Sequence, residues 1–480
     1  MADDAPPADD YGAPGPPRSW TRLGPAAAPV TWADRLLHRF LPRGALLLSV
    51  LTFASYLMGL FRDRTMTQAF GAGKELDAFN AAFVIPELSL GIIVASGLAA
   101  PFIPIFSVLK RENAAEAERF GQTIMTLAVL VMAGTAAVLF VIAPLTVEFV
   151  ARGFDAERRA LYTDLFRVMC ITPVIFAASM SLGEVLVAER RFFFYGVAPL
   201  MYNGGLVLGT LLLSDRLGIF GPAIGAVGGA LLHLAVRVLG IRRTSFRIRP
   251  RLAVRTAAIR DFVRLMLPKT GSSPIEPLTF LFFTNVASGL AIGSITTVNL
   301  ARNFQSVPVS LIGVAFSLAA FPALSAAYAA GDRPAFSRLI RTNLLTIGVL
   351  TVGAALGLAV VGGIAIDVLL GGGRFDADDV ARTALVLAVF AASVPFESLG
   401  HLVSRAIYAT RHTLLQVVAS LVGFAVTIAS TALLVDSLGV VAIPLGFTVG
   451  SAVRFVLLVA VLVPRVRRMP AGEAAARLPA

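Results

Sequence analysis

The sequence has 480 residues, of which 57% are apolar and 15% are charged, and its formal net charge at pH 7 is +12. A soluble domain has roughly 45–50% apolar residues even with glycine included, so this composition is typical of a membrane protein. Its single cysteine, Cys170, excludes an internal disulfide and a thiolate metal cluster, and its four histidines lack the spacing of metal ligands. We therefore expect neither a metal nor a cofactor.

The N-terminal segment differs from the rest of the chain. Residues 1–34 contain seven prolines and five aspartates, a composition that predicts a disordered cytoplasmic tail. Residues 35–43 predict a short amphipathic segment on the inner membrane surface. The acidic start and the lack of an apolar core exclude a cleaved signal peptide. Residues 1–43 are thus expected to stand apart from the membrane domain.

Long apolar runs follow one another through the remainder of the chain. A spanning helix needs about 20 residues, and on that basis we predict an all-α polytopic membrane protein with about twelve transmembrane helices. The predicted spans are 44–61, 80–108, 122–149, 162–188, 193–213, 218–239, 261–285, 288–327, 340–370, 383–409, 413–435 and 438–463. They predict an N-terminal lobe at 44–240, a basic cytoplasmic linker at 241–260, a C-terminal lobe at 261–464 and a cytoplasmic tail at 465–480.

A weak internal repeat relates the two predicted lobes. Phe154-Asp155-Ala156 recurs about 221 residues later as Phe375-Asp376-Ala377, and residues 97–101 recur as 317–322. Such symmetry is typical of transporters built from two related halves, with the substrate site between them. It predicts two six-helix lobes around a central cavity. The repeated aspartates are expected to cap helix N-termini rather than to hold a metal.

Arginine is distributed asymmetrically between the two sides of the predicted helices. Residues 241–264 carry eight arginines against one aspartate, whereas the loops on the other side have balanced charge. The positive-inside rule then predicts cytoplasmic N- and C-termini, with 241–264 inside and 371–382 outside. No soluble basic face with interleaved aromatic residues is evident, so nucleic-acid binding is not expected. Contact of 241–264 with anionic lipid is an additional possibility.

The seventh predicted span is irregular. Residues 268–277 contain three prolines together with Lys269 and Glu276. The freed backbone groups of such a segment are tolerated only against protein or a water-filled cavity. The second span carries Pro86 and Glu87 in a comparable place in the first half. Broken helices in corresponding positions are typical of transport sites.

Ionisable residues elsewhere in the spans are costly in a bilayer, so they indicate a cavity or a partner. Arg302 and Arg62 are the candidate substrate cations, and pairing of Arg302 with Glu276 or Glu87 is the structural alternative. Several others have plain structural interpretations. Glu397 and His401 could satisfy each other, and Arg454 could pair or hold helices together. Glu184 and Arg405 are expected to snorkel to the interface or to be paired, and snorkelling is expected of His233 and Arg237.

The residues themselves resemble a known family. The motifs at 59–63, 70–73, 77–79 and 82–86 are similar to the opening signature of the MurJ/MviN lipid II flippases, and the similarity continues at 101–104, 198–203, 373–376 and 405–409. The resemblance implies the multidrug/oligosaccharidyl-lipid/polysaccharide exporter fold, a transporter and not an enzyme. It also implies a bacterial cytoplasmic membrane location and a role in peptidoglycan and cell-wall biogenesis. Its expected partners are a lipid-linked pyrophosphate, membrane lipids and cell-wall synthesis proteins.

The resemblance also implies site residues. Arg62 and Asp77 match family positions at the cavity mouth, and Arg302 matches a cavity arginine. Gln305 stands where the family has a glutamate, Tyr56 and Leu90-Gly91 stand where it has arginines, and Lys269 is a candidate replacement cation. The predicted substrate-binding set is Arg62, Asp77, Lys269, Glu276, Arg302 and Gln305. The family's last two helices find no counterpart in the predicted spans, so we expect a divergent member.

Three alternatives to lipid II transport follow from these departures. The same fold could carry another lipid-linked oligosaccharide, or an organic cation bound by Glu87 and Glu276. A membrane scaffold without transport activity would also lose its cavity arginines. A membrane-embedded transferase is disfavoured, since no metal site or acid/base pair is apparent.

Overall fold

The computed structural model describes residues 43–271, 275–410 and 413–469. The described residues from Leu47 onward form one compact unit. The N-terminal tail, 1–42, and the C-terminal residues 470–480 lie outside the described part, as do the predictions made for them. We define the N-terminal half as residues 47–241 and the C-terminal half as residues 275–469.

Helices make up the N-terminal half. They are α1 (Arg43–Phe70), α2 (Lys74–Leu90), α3 (Ser96–Glu112), α4 (Ala114–Val150), α5 (Ala156–Met169), α6 (Ile171–Ala188), α7 (Phe192–Leu217) and α8 (Phe220–Ile241). α9 (Ala257–Gly271) follows the basic connection and packs against α3 and α4. Phe102, Phe106, Phe120, Phe246 and Phe262 form the aromatic part of a core cluster here.

The C-terminal half repeats this order. Its helices are α10 (Ile275–Ser288), α11 (Ser294–Pro308), α12 (Ala315–Ala329), α13 (Arg333–Leu370), α14 (Ala377–Ala391), α15 (Val394–Ala409), α16 (Thr413–Leu438) and α17 (Ala442–Arg467). Every predicted span coincides with one helix or a consecutive pair of helices, which confirms the all-α class. Within the described residues, eight helical runs are long and apolar enough to cross a membrane, or nine if α14 and α15, bent by 41°, count as one span. The predicted number of twelve is not confirmed.

A π-helical segment interrupts the helical run at the equivalent position of each half. Gly91–Ala95 joins α2 to α3, and Val309–Val314 joins α11 to α12. Each segment is followed by proline within the next helix, at Pro101 and Pro104 in α3 and at Pro322 in α12. π-Helical turns are rare and cluster at functional sites. The structural partner of the second predicted span is therefore the eighth, at 288–327, rather than the seventh.

The last hairpin of each half packs through small residues. Gly205 in α7 lies against Gly229 in α8, where a Cβ on Gly205 would stand 2.3 Å from the Gly229 Cα. In the C-terminal half Gly450 of α17 lies against α16, and a Cβ there would stand 2.0 Å from Thr427 Oγ1. Close backbone approach of this kind is how helices associate within a bilayer, where burial from water is unavailable.

The basic connection between the halves is fixed along α4. The backbone N–H groups of Arg247 and Arg251 donate to Glu118 Oε1 (3.1 Å) and Thr126 Oγ1 (3.0 Å). Gln122 Nε2 donates to the Arg247 carbonyl at 2.7 Å, and the Phe246 ring is buried beside Gly121. The arginine side chains of this segment remain exposed.

The repeated aspartates cap helices, as predicted. Asp155 accepts a hydrogen bond of 2.9 Å from the Arg158 N–H at the start of α5. Asp376 accepts from the N–H groups of Asp378 and Asp379 at 3.0 and 2.9 Å at the start of α14. The hydrogen bond from the Arg158 N–H lowers the pKa of the Asp155 carboxyl. An acceptor at this position satisfies donors that the first helical turn leaves free.

Candidate functional site

The two halves meet along a set of contacts that we call the inter-half seam, formed by residues 64–80, 149–157, 285–297 and 368–379. Its contacts follow the internal repeat. The Arg374 N–H donates to the Gln68 carbonyl (2.9 Å), and Gln68 Nε2 donates to the Gly371 carbonyl (2.9 Å). At the equivalent place the Gly153 N–H donates to Ser288 Oγ at 3.1 Å. Backbone groups thus fix the halves against each other at this face of the protein.

Glycine is required at the seam. Gly293 has φ +89°, and a Cβ there would stand 2.1 Å from the Ala72 carbonyl oxygen. Gly71 has φ +66°, with its Cβ position 2.6 Å from the Arg374 carbonyl oxygen. Positive φ favours glycine, and the short approach leaves no room for a side chain. These glycines let backbone meet backbone directly.

Asp77 connects α2 to the helix that carries Arg302. Its Oδ2 accepts from the Gly293 N–H at 2.7 Å, and its Oδ1 accepts from the Thr296 N–H and Oγ1, both at 2.8 Å. An anionic carboxylate at the N-terminus of α11 is favoured by the helix dipole. Asp77 is 1% exposed, so in this conformation it holds the seam and is not open to a substrate.

A second carboxylate, from the C-terminal half, binds the N-terminal half in the same way. Asp379 of α14 accepts from the Ala72 N–H at 3.0 Å, immediately before α2. Each half therefore supplies an aspartate that binds the start of a helix in the other half. The sequence analysis assigned no role to the glycine-rich turn at 71–73. A glycine also stands at the equivalent place in the second half, Gly293, and the two positions lie on opposite sides of the seam.

Arg62 lies on α1 in a mixed polar cluster. Its guanidinium donates to Asp63 Oδ1 at 3.0 and 2.6 Å and to Asn203 Oδ1 at 3.1 Å. Asn303 of the C-terminal half donates to Asp63 Oδ2 at 3.1 Å. The Arg62 side chain retains 27% exposure, and Glu87 and Tyr202 lie near enough to interact with it electrostatically. Arg62 is thus a partly open cation close to the junction of the halves.

Arg302 is held by a buried carboxylate. Its two terminal nitrogens donate to Glu397 Oε2 and Oε1, each at 2.9 Å, in a bidentate ion pair. The side chains of Arg302 and Glu397 are 7% and 11% exposed. The guanidinium also lies over the Phe447 ring, with its carbon 4.9 Å from the ring centroid. Such a pair is stable only because both charges are fully partnered.

Gln305 completes this network. It accepts a short hydrogen bond from Arg302, while its Nε2 donates to Glu397 Oε2 and to Ser393 Oγ, both at 2.9 Å. Gln305 is fully buried. The structure therefore brings together Arg302 and Gln305 of the predicted set and adds Glu397 and Ser393, which the predictions had assigned elsewhere or omitted. The partner of Arg302 is Glu397, not Glu276 or Glu87.

The remaining predicted residues contribute less to the described geometry. Glu276 lies exposed in the first turn of α10 and interacts with Arg302 electrostatically, with no ion pair to another described residue. Lys269 belongs to α9, and its side chain lies outside the described part. The irregular stretch between them, 272–274, is also not described.

Two residues expected to snorkel are instead buried. His233 and Arg237 of α8 are 4% and 5% exposed. His233 Nδ1 shares a 2.7 Å hydrogen bond with Ser179 Oγ, and Arg237 donates to the Ser179 carbonyl at 2.7 Å. Gly183 makes room for the Arg237 guanidinium. The snorkelling prediction is wrong for this pair because α6 supplies polar partners inside the N-terminal half.

Comparison with known proteins identifies the family. The family model for the lipid II flippase MurJ matches residues 66–478, which include the seam from residue 66 onward, the Arg302 network and both π-helical segments. The chain belongs to the lipid II flippase MurJ family. MurJ proteins are transporters rather than enzymes, and this member is a multi-pass bacterial membrane protein with a lipid-linked substrate.

Individual relatives agree with this assignment. The chain is 28% identical over 407 residues to the probable lipid II flippase MurJ of Thermotoga maritima, covering 85% of this chain and 82% of that protein. It is 26% identical over 360 residues to the lipid II flippase MurJ of Burkholderia cenocepacia, covering 72% and 69%.

Solved structures agree with the fold. A lipid II flippase MurJ in an inward closed conformation superposes with a TM-score of 0.75 at 21% identity, covering 87% of each chain. An inward-facing multidrug transporter of the MATE family superposes with a TM-score of 0.72 at 12% identity, covering 89% of this chain and 99% of that one. At such identities the likeness establishes the fold alone.

Proposed function

We propose that this chain moves lipid II, the undecaprenyl-pyrophosphate-linked peptidoglycan precursor, across the bacterial cytoplasmic membrane by alternating access. The observation that carries the proposal is the match to the lipid II flippase model over 66–478. It is supported by the duplicated helices α2–α3 and α11–α12, each interrupted by a π-helical segment. Transport of an organic cation or of another lipid-linked oligosaccharide is not favoured by the relatives.

The physical task explains the need for a cavity. A sugar-pyrophosphate head group cannot cross hydrocarbon, since an unpaired charge removed from water carries a prohibitive free-energy cost. Arginine replaces the lost hydration with charge-assisted hydrogen bonds and can bind phosphate through two nitrogens. We propose that residues 44–240 and 261–464 act as two lobes around a central hydrated cavity and rock about it.

The seam gives this cycle a closed state. Because Asp77, Asp379 and the backbone pairs join the halves at one face, we propose that the cavity is accessible in this conformation from the opposite, arginine-rich face. The arginine asymmetry supports a cytoplasmic position for that face and for both termini. We propose that opening the seam releases the head group on the outer side.

The predicted site residues take distinct parts in this proposal. We assign Arg62, which is partly exposed, and Lys269 to contact with the pyrophosphate, and Glu276 to the cavity wall. Asp77 controls the seam. Arg302 and Gln305 form a buried framework with Glu397 that shapes the C-terminal wall. Association with cell-wall synthesis proteins, which would supply and consume lipid II, belongs to the same proposal.

Rescue of a bacterium depleted of its own lipid II flippase tests the function. We expect expression of this chain to restore growth and the appearance of lipid II on the outer leaflet, measured by its accessibility to an added lipid-II-cleaving enzyme. A matched control is Asp77→Asn, which should be produced at a normal level and rescue less well. Normal membrane insertion without any outer-leaflet lipid II would overturn the proposal.

A further inference from the structure

Helix α15 carries a stripe of ionisable side chains on one face. Glu397, His401 and Arg405 follow one another at intervals of four residues, and Tyr408 continues the stripe. His401, Arg405 and Tyr408 are half-buried and Glu397 is largely buried, whereas most other positions of α15 are fully buried against the C-terminal half. At 1.5 Å per residue the stripe extends over about 12 Å from Glu397 to Arg405.

The composition of the stripe indicates that this face of α15 meets water rather than lipid. An ionised side chain facing the bilayer centre costs about 2.5–3.5 kcal/mol on insertion scales, so the ionised Glu397 and Arg405 are not expected on a helix face that meets hydrocarbon. α15 packs against α12, α13 and α17, and its partly open face is the one that bears the charges. The open face is therefore part of the hydrated cavity of the proposed transporter.

Arg454 of α17 adjoins this stripe. His401 interacts electrostatically with Glu397, Arg454, Arg405 and Arg302, and Tyr408 interacts with both Arg405 and Arg454. Arg454 is half-buried, and its Nε atom is buried without a hydrogen-bond partner. The two arginines thus lie on neighbouring helices around the same two side chains.

The arginines at this wall differ in how many hydrogen-bond and ion-pair partners they have. The Arg302 guanidinium is fully engaged by Glu397 and Gln305. Among the described residues Arg405 and Arg454 make no ion pair and donate no hydrogen bond, and Arg405 contacts only the Phe321 ring as a cation–π partner, at 5.8 Å. A guanidinium has five donors, and leaving them unpaired at a half-buried site is unfavourable. The unpaired donors are suited to an anion supplied from outside the chain.

We infer that Arg405 and Arg454 form an anion-binding subsite on the C-terminal wall that binds the pyrophosphate of the substrate. The inference rests on the proposed function, and it assigns to these two residues the role that was predicted from the sequence for Arg302. His401 and Tyr408 lie near enough to both arginines to interact with them electrostatically. The subsite is nearer the end of α15 at Ala409 than the Arg302–Glu397 pair is, so it lies closer to the arginine-rich face than that pair does.

Binding to the purified protein tests the subsite. We would measure the Kd of a short-tailed lipid II analogue, and of the same analogue with one phosphate in place of two, in one detergent. The double variant Arg405→Gln, Arg454→Gln should bind the pyrophosphate analogue roughly tenfold to a hundredfold more weakly, as expected for lost charge-assisted hydrogen bonds. Its preference for two phosphates over one should disappear. Arg405→Lys with Arg454→Lys should restore part of the affinity.

The matched control is Arg465→Gln with Arg467→Gln, which removes two charges near the end of α17 where Arg465 donates to the Val461 carbonyl. It should bind like the wild type. Equal binding by the wild type and the Arg405, Arg454 double variant, at unchanged thermal stability, would overturn the subsite while leaving lipid II transport standing. Absence of binding by the wild type itself would instead count against the proposed function. A loss of Tm in the double variant without restored stability in the lysine variant would show a structural role and contradict the inference.

Discussion

At the inter-half seam several charged and polar groups are matched by partners from the other half, as in the three hydrogen bonds that Asp77 accepts from Gly293 and Thr296. On the α15 stripe Arg405 has no carboxylate partner among the described residues. The seam joins backbone to backbone through glycine, which allows a defined closed state. The stripe keeps donors available for a ligand. The comparison thus distinguishes residues that fix the conformation of the protein from residues that are available to bind the substrate. The Arg302–Glu397 pair belongs to the residues that fix the conformation.

The largest expected effect concerns that buried pair. Arg302→Ala leaves Glu397 buried without its cation, which costs about 3–5 kcal/mol when one partner of a buried pair is removed. We expect poor accumulation and a lowered Tm in detergent, and substantial recovery in the double variant Arg302→Ala, Glu397→Gln. A stable, well-expressed Arg302→Ala protein that fails only in substrate binding would place Arg302 with the binding groups instead.

The next effect concerns the closed seam. Gly293→Ala adds a Cβ at φ +89° that would stand 2.1 Å from the Ala72 carbonyl oxygen, and the backbone conformation alone costs roughly 1–2 kcal/mol for an L-residue. We expect the population of the closed state, measured by the distance between spin labels at Glu75 and Arg374, to fall at least about tenfold.

Gly439 provides the control for this experiment. It also has positive φ, +55°, but a Cβ there would meet nothing within 4 Å. Gly439→Ala should therefore carry the backbone strain and leave the spin-label distance unchanged. If both variants open the seam equally, the opening is caused by the strain of a positive φ at alanine and not by the close approach of the two halves.

A smaller effect is expected from Asp77→Asn. The amide keeps the shape of the carboxylate but loses its charge at the N-terminus of α11, an interaction of up to about 2 kcal/mol. Its NH2 group also cannot accept the hydrogen bond that one of the two carboxylate oxygens accepts now. The closed population should decrease and the protein should remain folded, as judged by the same spin-label distance and by Tm. A closed population equal to that of the wild type would show that the backbone pairs alone hold the seam.

The smallest effect is expected from the exposed ion pair between Lys74 and Glu157, whose side chains are 44% and 77% exposed. Exposed pairs contribute about 0–1 kcal/mol. Lys74→Ala should change neither the seam population nor the rate of lipid II movement in proteoliposomes beyond experimental error. A clear loss of transport in Lys74→Ala would show that the exposed edge of the seam is also needed for transport.

The sequence predicted the helical architecture because apolar runs and proline breaks act locally, and it predicted the Asp155 and Asp376 caps because capping depends on adjacent residues. The partner of Arg302 was not predicted, since Glu397 lies on another helix and the i, i+4 spacing from His401 suggested a local pair. Asp77 was recognised as a site position, but its role depends on the approach of α2 to Gly293. Contacts between halves depend on tertiary geometry that no local pattern encodes.

The internal repeat extends to features that the short sequence matches do not include. Gly71 with Gly293, and the π-helical segments at 91–95 and 309–314, occupy equivalent places in the two halves. A residue-by-residue alignment of the halves would indicate the eighth span as the counterpart of the second. The unpaired state of Arg405 and Arg454 could not be inferred in this way, because it depends on which side chains are absent from their surroundings.

Reversible locking of the seam tests the central claim, that lipid II crosses by opening and closing between the halves. Glu75→Cys and Arg374→Cys place thiols where an ion pair of 3.6 Å now bridges the halves, in a background where the buried Cys170 is replaced by Ala. A short bis-methanethiosulfonate links them in proteoliposomes containing labelled lipid II. We predict that linking stops lipid II movement and that reductant restores it. Movement at the same rate in the linked and reduced protein would contradict alternating access through this seam.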